Sequence, residues 1–153
     1  MRHIEVSKKI ITSSTVDAAT VKYSLVQRFR NIFHIETVGE GLESFSVTAR
    51  GKVTSYFFQV NVVLKCDSSR VRIIIEGKND VGVPTKLFYV GSLLAVLALG
   101  LFPQVLVPPY GYAIDAAFFM IVGGFIIYDF NRKLDEPQGF IERVLDTLEV
   151  EFG

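Results

Sequence analysis

Few side chains in this sequence combine the type and the spacing that chemistry requires. The histidines are His3 and His34 and the single thiol is Cys66. A zinc site draws three or four ligands from short, fixed spacings, and these three stand singly in separate segments, so no metal is expected. There is no GxSxG, no P-loop, no HExxH and no GxGxxG following a strand. Without a nucleophile beside a base, or a glycine cradle for phosphates, neither a catalytic role nor a cofactor is expected. One carboxyl group stands apart. Asp115 falls at the start of a long uncharged run, a setting in which acids serve ion or proton paths. Such a path needs further ionisable partners, and the facing run offers only Ser92 and Gln104. The expectation is therefore a polar pair, Gln104 with Asp115, or a solvated carboxylate.

The elements that would position these groups follow from periodicity. Ile4, Val6 and Ile10 alternate as in a first strand. Ser13, Ser14 and Thr15, with Asp17 close behind, are helix-start residues. Val21, Leu25, Phe29, Ile32 and Phe33 then recur at three and four, forming one apolar helical stripe. After the turn Gly39-Glu40-Gly41, three runs alternate: Phe45 to Ala49, Tyr56 to Leu64, and Val71 to Ile75. Their short connections make them an antiparallel meander. At the far end Phe140, Val144, Leu145 and Leu148 share one face of a short amphipathic helix, too short to stand alone in water. The sheet's apolar face is wide enough to take both helices.

Between sheet and last helix lies the greasy part of the chain. Half of the 153 residues are hydrophobic, mean hydropathy is +0.37, and the excess is concentrated from Leu87 to Phe130. Leu87 to Val107 carries no charge in twenty-one residues, and Tyr112 to Phe130 is nineteen long with an Asp near each end. Both lengths suit a crossing of a bilayer core of about 30 Å. Pro108, Pro109 and Gly111 reverse the chain between them. Lys78 and Lys86 precede the first run, Arg132 and Lys133 follow the second, and the turn has no basic residue. The positive-inside rule then puts both ends in the cytoplasm, at a plasma (inner) membrane.

The expected architecture is α+β: a small antiparallel meander of order β-α-β-β-β, with a two-helix transmembrane hairpin inserted before a C-terminal amphipathic helix. The segments are 1–80 for the first part of a cytoplasmic domain, 86–131 for the hairpin, and 134–153 for the returning helix. The N-terminal stretch lacks a secretory apolar core, Arg2 stands where myristoylation needs glycine, and the EVEFG end is no prenylation signal, so targeting is expected from within.

The function expected on this basis is that of a noncatalytic integral membrane protein with a cytoplasmic binding or assembly domain. Its partners would be the lipid bilayer and either another protein or a second copy of itself. Gly91 and Ala95 on the first run and Ala116, Ala117, Gly123 and Gly124 on the second are small enough for close helix packing. The alternative is a binder of lipid or a small apolar ligand in a cavity between sheet and helices, lined by Tyr56, Phe58 and Val60. Sixteen basic and sixteen acidic residues cancel, so no field gathers nucleic acid, and none is expected as a partner.

Overall fold

The computed structural model describes residues 1–12, 15–52, 56–100 and 111–153, with the backbone alone at 100, 111, 112, 114 and 115. Five strands form one antiparallel sheet: β1 (Arg2–Ile11), β2 (Phe33–Val38), β3 (Ser44–Gly51), β4 (Tyr56–Asp67) and β5 (Arg70–Val81), in the order β1-β5-β4-β3-β2. The helices are α1 (Ala18–Ile32), α2 (Val83–Gly100), α3 (Gly111–Phe118) and α4 (Gly124–Phe152), with a π-helical turn at Phe119–Gly123. Two units emerge: Met1–Val81 with Leu134–Gly153, and Gly82–Lys133.

In the first unit, strand alternation sends Ile4, Val6 and Ile10, then Phe45, Val47 and Ala49, Tyr56 to Leu64, and Val71 to Val81 onto one buried face. Since β1 and β2 are the two edges, α1 must cross the whole sheet. Its fifteen residues span about 22 Å at 1.5 Å each, against four inter-strand gaps of about 4.8 Å. Val21, Leu25 and Phe29, spaced by four, are fully buried against that face. The second half of α4 lies there too, burying Ile141, Val144, Leu145 and Leu148. Phe33 ties the layers, its ring edge-on to Phe29, Tyr56, Phe58 and Phe140 at 5.8, 6.3, 4.7 and 6.1 Å. Lys8 on β1 reaches Asp146 and Glu149 of α4, each at 2.7 Å, and those carboxylates, Asp146 foremost, raise its pKa.

Several expectations need correction. The sheet has five strands, not four. Phe33 fits the helical stripe by spacing, yet the chain leaves the helix there and enters β2, where Phe33 and Ile35 pair with β3 and a bulge follows Ile35. The N-cap of α1 is Asp17, which makes no side-chain cap bond; of the expected helix-start residues, Ser13 and Ser14 lie outside the described residues.

The transmembrane hairpin is also overturned. Among the described residues no helix is long and apolar enough to cross a membrane. Pro84 and Lys86 occupy the first turn of α2, so its uncharged described part, 87–100, spans about 21 Å, short of a bilayer core of about 30 Å. The second run is not one apolar helix: it divides into eight-residue α3, the five-residue π turn, and α4. Helix α4 carries Asp129, Arg132, Lys133 and Asp135 within its first half and continues through Pro137 to Phe152. The separate C-terminal helix is therefore the latter part of α4. An integral membrane protein with both ends cytoplasmic, in either its assembly or its surface-cavity form, requires a spanning helix, and the described residues contain none.

A side-chain bond reaches α4 beside Pro137. Proline cannot donate to the carbonyl four residues earlier, and its ring crowds that turn. One residue on, the carbonyl of Leu134 accepts a bond from Nδ2 of Asn79 at 2.6 Å, and Asn79 is fully buried on β5.

Candidate functional site

The Gly82–Lys133 unit concentrates the features that distinguish this chain. On α2, Tyr89 is buried, and its hydroxyl donates a hydrogen bond to the carboxylate of Asp129 on α4. Lys133, one turn beyond Asp129, holds its ammonium 3.6 Å from the same carboxylate oxygen and 5.2 Å from the centre of the Tyr89 ring. Phe88 and Phe130 stand edge-on to that ring at 5.7 and 5.1 Å. The Tyr89 hydroxyl holds Asp129 below the usual carboxylate range. Burial, and then Asp129, push the tyrosine above its ordinary value, and the Tyr89 oxygen raises Lys133. At neutral pH the group is thus phenol, carboxylate and ammonium. The bond from the Tyr89 hydroxyl to Asp129 joins α2 to α4.

Beside this cluster lies a cleft of about 350 Å³ lined by Lys86, Tyr89, Val90, Leu93, Ile126, Ile127 and Phe130, almost wholly apolar. The apolar character extends over the unit's surface. Twelve of its large apolar side chains are exposed among the described residues, with Phe88, Met120 and Phe125 at 68%, 74% and 68%.

The residues singled out from the sequence fall as follows. Gln104 and the side chain of Asp115 lie outside the described residues. Gly91 and Ala95 are exposed on α2, Ala116 and Ala117 on α3, and Gly124 at the start of α4, while Gly123 is buried at the end of the π turn. A Cβ added at Gly91, Gly123 or Gly124 would meet nothing within 4 Å. Tyr56, Phe58 and Val60 are buried under the helices on the covered face of the sheet. His3 and His34 are exposed on separate strands, and no group of three metal-ligating side chains exists among the described residues. Cys66 is exposed, with its thiol pushed up by desolvation and then by Asp17 and Glu43. The cluster of Tyr89, Asp129 and Lys133 went unseen in the sequence, although Asp129 and Lys133 have the helical spacing that lets opposite charges meet.

In the other unit, a smaller cleft of about 220 Å³ between α1 and α4 is lined by Arg28, Asn31, Ile32, Arg143, Val144 and Thr147. Glu151 closes on Arg28 at 2.6 Å.

No family model and no curated protein matches this chain. Two crystal structures are similar to it. CalU16 from Micromonospora echinospora is 10% identical over 82% of this chain and 88% of its own, with a TM-score of 0.34. TTHA0849 from Thermus thermophilus is 8% identical over 95% of this chain and 99% of its own, with a TM-score of 0.32. Likenesses at these scores carry neither fold nor function to this chain.

Proposed function

We propose that the chain is a noncatalytic assembly module, in which the apolar surface of Gly82–Lys133 packs against the same surface of a second copy. The observation that supports this is the exposed apolar area. At roughly 100 Å² apiece, the twelve exposed side chains present on the order of 1,000 Å². Summed over the unit, that is of the same order as the ~800 Å² each partner contributes to a standard interface. The α2 part of that surface, residues 87–100, includes no charged side chain, so it offers a charged partner nothing to pair with and is best met by an uncharged complement. The chain's own surface meets that condition, and exposed Gly91 and Gly124 leave room for a helix to approach closely.

Sedimentation velocity on the full chain without detergent tests this reading. The wild type is expected to associate, and Leu94→Arg with Phe125→Arg is expected to lose the association step that persists at high salt, with unchanged circular dichroism. A wild-type monomer, or a chain that binds phosphatidylcholine vesicles in place of a second copy, refutes it.

A further inference from the structure

The face of the sheet turned away from the helices carries charges in rows, which only the strand register reveals. Lys9 lies opposite Arg72, and Arg72 opposite Lys65, so three cations form one row across β1, β5 and β4. Two residues along comes Ser7 opposite Ile74 opposite Val63, and two further on, Glu5 opposite Glu76 opposite Asn61. Like charges directly opposite one another destabilise a sheet, yet this one sets them side by side twice. Among the described residues, Lys9, Lys65, Arg72, Glu5 and Glu76 are all exposed and none has a counter-ion. Ile74 and Val63, in the row between, are half-buried.

The arrangement is complementary to itself. Adjacent rows are about 7 Å apart, two residues of strand. A two-fold axis laid along the Ser7-Ile74-Val63 row turns a second sheet over and reverses its strand direction. Each strand then faces its own counterpart. Lys9 meets Glu5 of the other copy, Arg72 meets Glu76, Lys65 meets Asn61, and the Ile74 and Val63 side chains meet their equivalents. The same contacts recur on the other side of the axis, as an isologous interface requires. Farther out, Arg70 and Lys78 come opposite each other, but there two twisted sheets diverge.

We infer that the open sheet face is a charge-registered interface with a second copy of this chain, its cationic row seated on the acidic row of the partner and its Ile74 on the axis. This surface belongs to the sheet unit and not to the apolar helical one, and either contact can fail without the other. Salt separates them: screening weakens the charged contact, whereas it does not weaken an apolar one.

The test is charge reversal in the full chain. One variant carries Lys9→Glu, Lys65→Glu and Arg72→Glu, leaving both rows acidic; the other carries Glu5→Lys and Glu76→Lys, leaving both basic. Each alone is expected to lose one association step, by at least about tenfold in affinity. An equimolar mixture is expected to recover that step as a mixed species by native mass spectrometry. The wild-type step should weaken as sodium chloride is raised. Cysteine crosslinking gives a second measurement that leaves the charges in place. In a Cys66→Ser background, Ile74→Cys on the axis should form a disulfide with its own copy, whereas Glu76→Cys should crosslink to Arg72→Cys and not to itself. Association unaffected by both reversals, a mixture that restores nothing, Glu76→Cys crosslinking to itself, or a monomer that captures heparin through its cationic row would overturn the inference.

Discussion

Gly77 holds the register on which the charged rows depend, and Gly77→Ala is the sharpest perturbation of it. The residue lies on β5 between Ile4 of β1 and Val60 of β4. A Cβ built there falls 2.1 Å from the carbonyl oxygen of Gln59, 2.6 Å from Cα of Val60 and 2.8 Å from its Cγ1. Two of these are backbone atoms in the middle of a ladder, which no rotamer change can move aside. To reach ordinary contact the strands must separate by more than 1 Å, roughly the length that turns a good backbone hydrogen bond into a broken one. The cost should stand at the upper end of overpacking, about 3 kcal/mol. For a chain of this size that lowers the melting temperature by about 6–12 °C. Thermal unfolding followed by far-ultraviolet circular dichroism reads it directly. Glu76 is the neighbouring residue, so the same variant should also weaken the salt-sensitive association. A variant that melts with the wild type would mean that β4 and β5 do not approach so closely, and the rows built on their pairing would lose their basis.

Three further outcomes follow from particular contacts. Asn79→Ala leaves the buried Leu134 carbonyl beside Pro137 without its side-chain donor and should cost about 1–2 kcal/mol in chemical denaturation; an unchanged midpoint would show that the helix accommodates its proline unaided. Asp129 is held below its unfolded value chiefly by the Tyr89 hydroxyl, so its contribution is fully present above the unfolded pKa and is lost as pH falls through the folded one. Stability should thus be level from neutrality to about pH 5 and fall below about pH 4. Tyr89→Phe should shrink the difference between urea midpoints at neutral and acid pH, and an equal difference in both proteins would refute the assignment. Phe33→Leu removes an aromatic ring shared by α1, β2, β4 and α4 and should cost about 2 kcal/mol, read as a shift of the denaturation midpoint.

Legibility in the sequence divided along a physical line. The alternation in β3, β4 and β5 and the stripe of Val21, Leu25 and Phe29 were readable, because one buried face imposes a period of two or 3.6 on the residues themselves. Phe33 was not. It satisfies the helical stripe and also opens a strand, and only the space between Phe58 and Phe140 decides which. Hydropathy over 87–130 measured how many apolar residues follow one another, but a crossing also needs them in one uninterrupted helix. The break into α3, a π turn and the charged first half of α4 is invisible to a hydropathy average. Pro137 lies inside α4 although proline lacks a donor, and the bond from the side chain of Asn79, far away in sequence, to the nearby Leu134 carbonyl could not be read from the sequence.

What the sequence by itself determined is which side chains seek cover: the apolar faces of strands and helices, and an apolar stretch from Leu87 to Phe130 whose exposed residues still lack one. What only the tertiary structure decided is which residues stand opposite each other. Lys9, Lys65 and Arg72 are scattered singly among other charges along the chain, and so are Glu5 and Glu76. Hydrogen-bond register, a property of pairs of strands rather than of any one segment, gathers them into rows.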